Sequence, residues 1–456
     1  MAAMADRSRF QKGFLIAFVL ALLMVWSPSK ALGYLAPWAA LGVLFIISKN
    51  GKLLEKMMLI IGSGFLSFVF YFLLLGQGFV WHSAMLGFLT YSAFWVAWLI
   101  PSKALAAPNL FRKIQGIAIW VLLIQALWGL GQAIYGFTRT GTFDLATGDI
   151  VAGTIRPFGF RSDFSNPIFA VNVAFLLLFL FSRCWYENKG WWIWGLGLLV
   201  LIFASVLHVL LFLGIAILLS FLIYYPSLIK RGRGMVLIGG FVFAATVAYG
   251  FLPRNFATLR AFILHTIQAQ TPRAQILRDV FTVMPREYPW MPFVGLGWGQ
   301  FTSRAALIGT GLFFGSPADP RSIPFLPTGM SKPFQEYLFD LWLSISLDIS
   351  NPNFTSSTYK PYFSWLSVYS EGGGFAFLIA TAILFSFILR LKRLSRRVAQ
   401  KRVAVVSLGA MGILLFLLGV QENYWEVPQA IFLGILLIKV LYGYLIYHDQ
   451  FRDAVA

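Results

Sequence analysis

Arginine is the residue type in this chain of 456 residues whose placement most demands a chemical reason. Two long polar stretches, 137–165 and 253–372, hold Arg139, Arg156, Arg161, Arg254, Arg260, Arg273, Arg278, Arg286, Arg304 and Arg321, against only two lysines, Lys332 and Lys360. A planar guanidinium donates two parallel hydrogen bonds to phosphate oxygens, which an ammonium cannot do. The bias therefore points to phosphate recognition. Acids are interleaved with these arginines: Asp144, Asp149, Asp163, Asp279, Glu287, Asp319, Glu336, Asp340, Asp348 and Glu371. Pairing with them, or with lipid headgroups, is the competing account of any single arginine. Arg156 and Arg161 stand in the run GTIRPFGFRSDFSNP, 153–167, directly before an apolar segment that starts near Asn166. Arg273 and Arg278 fall in a helical pattern over 273–284. Residues at that separation lie about 140° apart around a helix axis, so the two cannot share one narrow stripe. Arg304 completes the candidates.

The elements that must carry these residues are written in the composition. Hydrophobic residues make up 59% of the chain and charged residues 12%, outside what a soluble domain hides in its core. Apolar runs of about 17–23 residues, the length that crosses roughly 30 Å of hydrocarbon, recur along the chain. They cover 13–28, 31–48, 57–76, 79–100, 114–136, 166–184, 191–206, 207–226, 235–252, 373–390, 403–419 and 427–447. The expected class is all-α, a polytopic membrane protein with about twelve spanning helices; Ser205 to His208 is the weak point dividing the seventh from the eighth. The first run follows Arg7, Arg9 and Lys12 like a secretory signal, but no small-residue cleavage site follows it, so it is expected to be a retained helix.

Basic clusters at the N-terminus, at 49–56, 103–113, 183–189, 230–233 and densely over 390–402 all fall on one side when twelve helices are drawn. By the positive-inside rule that side is the cytoplasm, with both termini in it. The net charge of +19 is thus accounted for by topology and by an anionic lipid substrate; with no compact basic domain, nucleic acid is not an expected partner. The arginine-rich stretches, and Lys30, face outward. Within the second, Phe334, Tyr337, Leu338, Leu341, Trp342 and Ile345 recur at helical spacing opposite Gln335, Glu336, Asp340 and Ser344, an amphipathic helix expected to lie on the outer membrane surface. Gly295, Gly297 and Gly299 let backbone approach a ligand or form a tight turn, and their setting is not that of a nucleotide-binding loop. The single cysteine, Cys184, excludes an intramolecular disulfide, and no outward DxD pair offers ligands for a metal.

The order of these features resembles the O-antigen ligase and polymerase superfamily. Four stretches carry the likeness: GTIRPFGFRSDFSNPIFAVNVAF, TPRAQILRDVFTVM, YPWMPFVGLGWGQF and STYKPYFSWLSVYSEGGGFAFLIA. The chain departs from the ligase pattern in having Tyr359 and Lys360 at the position of its histidine, and Val206 where an arginine opens the eighth helix of many relatives. Both departures favour the polymerase branch. The resemblance implies transfer of a glycan from undecaprenyl pyrophosphate to a sugar hydroxyl on another lipid-linked repeat unit, in the bacterial inner membrane, without metal or cofactor. Expected partners are membrane lipids, the undecaprenyl-pyrophosphate-linked glycans and a chain-length-regulating co-polymerase. A pyrophosphate leaving group is a weak base, so preorganised cations can carry much of the catalysis, each such donor being worth ~3 kcal/mol. Glu371 is the family-matched acid for the acceptor hydroxyl, although an acid at a helix start also serves as a cap. Glu371, Arg273, Tyr359 and Lys360 are the expected catalytic set, and Arg156, Arg161, Arg278 and Arg304 the expected pyrophosphate ligands. A ligase, a polysaccharide or anion transporter, and a non-catalytic scaffold are the alternatives.

Overall fold

A computed structural model describes residues 2–48, 51–141, 151–157, 165–227, 239–240, 246–247, 249–250, 253–268, 271–315, 319–321, 323, 325–347 and 360–452. Among these residues every regular element is helical, and nine helices are long and apolar enough to cross a membrane: Arg7–Val25, Lys30–Ser48, Gly51–Gly78, Pro108–Thr140, Ser165–Glu187, Leu207–Tyr224, Ser364–Arg397, Arg402–Gln421 and Pro428–Gln450. The chain is an all-α, multi-pass membrane protein, as its composition requires when every backbone polar group must be satisfied within hydrocarbon.

The run 79–100 is two helices, Trp81–Thr90 and Ser92–Leu99, jogged at Tyr91. Trp191–Phe203 is short and ends at a turn where Ser205 takes a φ of 60° before Leu207–Tyr224 begins, so the weak point at 205–208 is a true break. Most of 235–252 lies outside the described residues.

Ser165–Glu187, Arg402–Gln421 and Pro428–Arg452 form the centre of the bundle, and side-chain hydrogen bonds tie it to its neighbours. Asn172 donates to the Gln429 carbonyl at 2.8 Å and Ser220 to that of Val406 at 2.6 Å. One end of the bundle gathers the basic clusters: Arg7 and Gln11 bond the carbonyls of Ala106 and Ala104, Arg397 approaches Asp449 at 3.5 Å, and Val403 donates to the Tyr186 hydroxyl. The opposite end joins Gln429 to the carbonyls of Val25 and Ser27, Thr154 to that of Trp26, and Ser364 to that of Glu422. These contacts bring the basic clusters at the N-terminus, 103–113, 183–189 and 390–402 to one end, while 230–233 lies outside the described residues.

At that second end the stretch 271–366 builds a small core of its own from Ile276, Val280, Met284, Met291, Leu296, Phe301, Phe334, Leu338 and Leu366. The amphipathic segment forms as Lys332–Tyr337 and Phe339–Leu347. Its apolar residues Phe334 and Leu338 are buried in this core, so the stripe expected to face lipid covers protein instead. Ser364–Arg397 begins nine residues ahead of the expected start at 373, with a break at Gly373 (φ 73°, ψ 179°) separating its first turns from the rest.

Candidate functional site

The break at Gly373 is where the site begins. It leaves the carbonyls of Ser370 and Glu371 without helical partners, and the glycine loop 295–299 takes them: Leu296 donates to Ser370 at 2.9 Å and Gly297 to Glu371 at 2.8 Å. Gly295 and Gly299 have φ of 78° and 77°, and a Cβ on either would strike backbone, that of Glu371 for Gly295 and that of Ser83 for Gly299. The glycines are thus needed for a close approach of the chain to itself. The fully buried Glu371 carboxylate completes the turn. Its Oε2 accepts from the Gly299 amide at 2.7 Å, and its Oε1 from Phe301 at 2.8 Å and Ser303 at 3.0 Å. Glu371, expected as an acid for the acceptor, holds the loop through these three bonds. Its three amide partners all lie in the 295–303 turn rather than in the helix that restarts after Gly373.

The loop so organised delivers Arg304. Ser303 caps the helix Arg304–Gly309, and the Arg304 amide donates to Glu426 Oε2. Glu426 also accepts from the Tyr91 hydroxyl at 3.1 Å and from Asn423 Nδ2 at 3.1 Å. Burial, then the neighbouring Glu371 charge, pushes the Glu426 carboxyl up to about 8. The Arg304 guanidinium, 5% exposed, lies over the Phe313 ring and 3.6 Å from Glu422 Oε1.

Arg273 reaches the same place from the helix Pro272–Arg278, capped by Thr271. It is 6% exposed, donates through Nη2 to the Gln421 carbonyl at 2.7 Å and through Nε to the Lys360 carbonyl at 3.2 Å, and stacks over Phe363. Burial pulls it down to about 10, with Glu422 the largest opposing influence. The Tyr362 phenol, and after burial's opposing effect the Glu422 carboxylate, hold the Lys360 ammonium above its usual range. Burial raises Tyr362 against the Lys360 charge. Arg273, Arg304 and Lys360 therefore meet around one carboxylate, Glu422, at the end of the bundle opposite the basic clusters.

The remaining candidates separate. Arg278 is exposed and bonded to Asp279 at 3.2 Å, beside a π-helical turn over Asp279–Val283, and Arg321 pairs with Asp319 at 2.6 Å. For these two the account by local pairing holds, and the angular argument is met: Arg273 turns inward, Arg278 outward. Arg156 belongs to 151–157, whose backbone is tied to Gln132 on Pro108–Thr140, including Gln132 Nε2 to the Arg156 carbonyl at 2.7 Å. Arg161 and Tyr359 lie outside the described residues. His208 bonds the Tyr424 hydroxyl at 2.6 Å.

Sequence reasoning misses Glu422 and Glu426. The available signal is the run Gln421-Glu422-Asn423-Tyr424-Trp425-Glu426, two acids in a short outward connection between apolar runs. Among the described residues no three His, Cys, Asp or Glu side chains are grouped to hold a metal ion. Comparison with protein families, with curated proteins and with solved structures gives no match to this chain.

Proposed function

We propose that the chain is a metal-independent glycosyltransferase that polymerises undecaprenyl-pyrophosphate-linked oligosaccharide repeat units of an O-antigen or related surface polysaccharide. In this account it crosses the bacterial inner membrane twelve times with both termini in the cytoplasm, and 137–165 and 253–372 are its periplasmic loops. The observation that carries the reading is the convergence of Arg273, Arg304 and Lys360, two of them buried guanidiniums, at the end of the bundle away from the basic clusters. Buried cations at a membrane face have a use when a diphosphate must be neutralised and its departure stabilised, and there each preorganised donor is worth ~3 kcal/mol in the transition state. Glu371 and the 295–303 turn set the position of Arg304, and Tyr362 sets that of Lys360. The family resemblance of the four quoted stretches supports the same assignment.

Deleting the gene and analysing the cell's glycolipids tests it. Single repeat units accumulating on undecaprenyl pyrophosphate at the outer face are the expected result. Full-length chains stranded on the carrier would identify a ligase instead, repeat units trapped at the inner face a transporter, and unchanged glycolipids would remove the enzymatic reading.

A further inference from the structure

Three buried acids, Glu371, Glu422 and Glu426, belong to the cation cluster and the turn that carries Arg304, and protein donors occupy two of them. Glu371 receives three backbone amides, and Glu426 receives a hydroxyl, a backbone amide and a side-chain amide. Glu422 has none of its surface exposed, yet neither carboxylate oxygen accepts a hydrogen bond from any described residue. Its backbone, by contrast, is pinned: the carbonyl accepts from the Ser364 amide at 3.3 Å, the Ser364 hydroxyl at 3.1 Å and the Tyr424 amide at 2.8 Å. The backbone at Glu422 is thereby held, and its carboxylate oxygens accept no hydrogen bond among the described residues. The Arg304 guanidinium stands 3.6 Å away, beyond hydrogen-bond distance, and Arg273, Lys360 and Tyr362 act on the same charge from two other elements.

A buried carboxylate lacking hydrogen bonds is costly, and an isolated unsatisfied polar group in a native fold calls for an explanation. The group that would satisfy it is a donor hydroxyl. We propose that Glu422 accepts the proton of the acceptor sugar's hydroxyl during glycan transfer, a role that rests on the reading of the chain as a transferase using a lipid pyrophosphate. As the O–H proton passes to a Glu422 oxygen, the hydroxyl oxygen's electron pair forms the new bond to the donor's anomeric carbon. The bond from that carbon to the pyrophosphate oxygen breaks, and its electron pair leaves with the diphosphate, whose charge Arg273, Arg304 and Lys360 receive. The proton on Glu422 then passes to water or to the departing diphosphate, which restores the carboxylate. Glu371 and Glu426 each hold protein donors on both oxygens, which leaves Glu422 as the buried acid without a hydrogen-bond donor among the described residues.

The test compares wild-type protein with Glu422→Gln and Glu422→Asp in lipid nanodiscs. Repeat-unit lipid extracted from cells lacking the gene is the substrate, and undecaprenyl pyrophosphate is the binding probe. Glu422→Gln should lower kcat by roughly a hundredfold or more, the range for loss of a general base, with KM for the lipid donor and the affinity for undecaprenyl pyrophosphate within about threefold of wild type. Glu422→Asp should recover part of the rate. Wild-type turnover with Glu422→Gln equally active overturns the role of Glu422 and leaves the transferase reading standing; wild-type protein that turns over no lipid-linked units overturns both. If the variants do not bind undecaprenyl pyrophosphate, wild-type protein decides: its single-turnover rate should slow in heavy water, and a rate indifferent to the solvent isotope rules out proton transfer to any base in the step.

Discussion

Replacing Glu371 by Gln should loosen the 295–303 turn while leaving the helical bundle folded. In the native turn Oε1 takes two amides, Phe301 and Ser303, and Oε2 takes one, Gly299. A glutamine has one acceptor oxygen, so its best placement keeps the oxygen on Phe301 and Ser303 and turns its NH2 toward the Gly299 amide. One buried N–H is then unsatisfied, at a cost of about 1–3 kcal/mol. Applied to local opening, that cost accelerates amide exchange by roughly 5- to 150-fold. Hydrogen exchange followed by mass spectrometry on peptides covering 295–303 reads this directly, and peptides from Arg402–Gln421 serve as the internal control. Exchange in 295–303 that matches wild type would refute the assignment of Glu371 as the organiser of the turn. Glu371→Ala strands all three amides and should lose more, about 3–9 kcal/mol, comparable to the total stability of many domains.

Glu426 supplies a pH dependence. Its folded-state carboxyl is raised from 4.5 to about 8, so the protonated form is the one the fold prefers; its contribution is fully present below the unfolded value and is lost as pH rises through about 8. Thermal unfolding in nanodiscs should show stability declining through that range, and Glu426→Gln, isosteric with the protonated acid, should flatten the decline; a wild-type profile that stays level there contradicts the assignment. Arg278→Ala should leave polysaccharide chain length unchanged, because the exposed pair with Asp279 is worth no more than about 1 kcal/mol and lies outside the cluster. Shortened chains in that variant would return Arg278 to the site.

What the sequence discloses follows the range over which each signal acts. Apolar runs of membrane length are local, and Ser165–Glu187, Arg402–Gln421 and Pro428–Arg452 appear close to where they are expected. The jog at Tyr91 has no proline or glycine to announce it, and its tyrosine hydroxyl bonds Glu426, 335 positions away. The early start of Ser364–Arg397 was legible in principle, since Ser364, Ser367, Ser370 and Glu371 repeat at helical spacing, but a polar face there means a neighbour only once the glycine turn is placed against it. Arginine bias singled out Arg273 and Arg304, which the fold buries at one end of the bundle. It could not sort these from Arg278 or Arg321, because the distinction rests on tertiary contacts such as that from Arg273 to the Gln421 carbonyl. Glu422 and Glu426 sit in a connection so short that its two acids gain meaning only from the guanidiniums the fold brings to them.

The central claim is that buried cations at this end of the bundle recognise a diphosphate. Its most direct test is equilibrium binding of undecaprenyl pyrophosphate, undecaprenyl phosphate and undecaprenol to the wild-type protein in uncharged nanodiscs. Charge-assisted hydrogen bonds contribute about 1.5–3 kcal/mol each, so affinity should fall at least about tenfold on removing the second phosphate and further with none. Equal affinity for the three lipids would contradict the account.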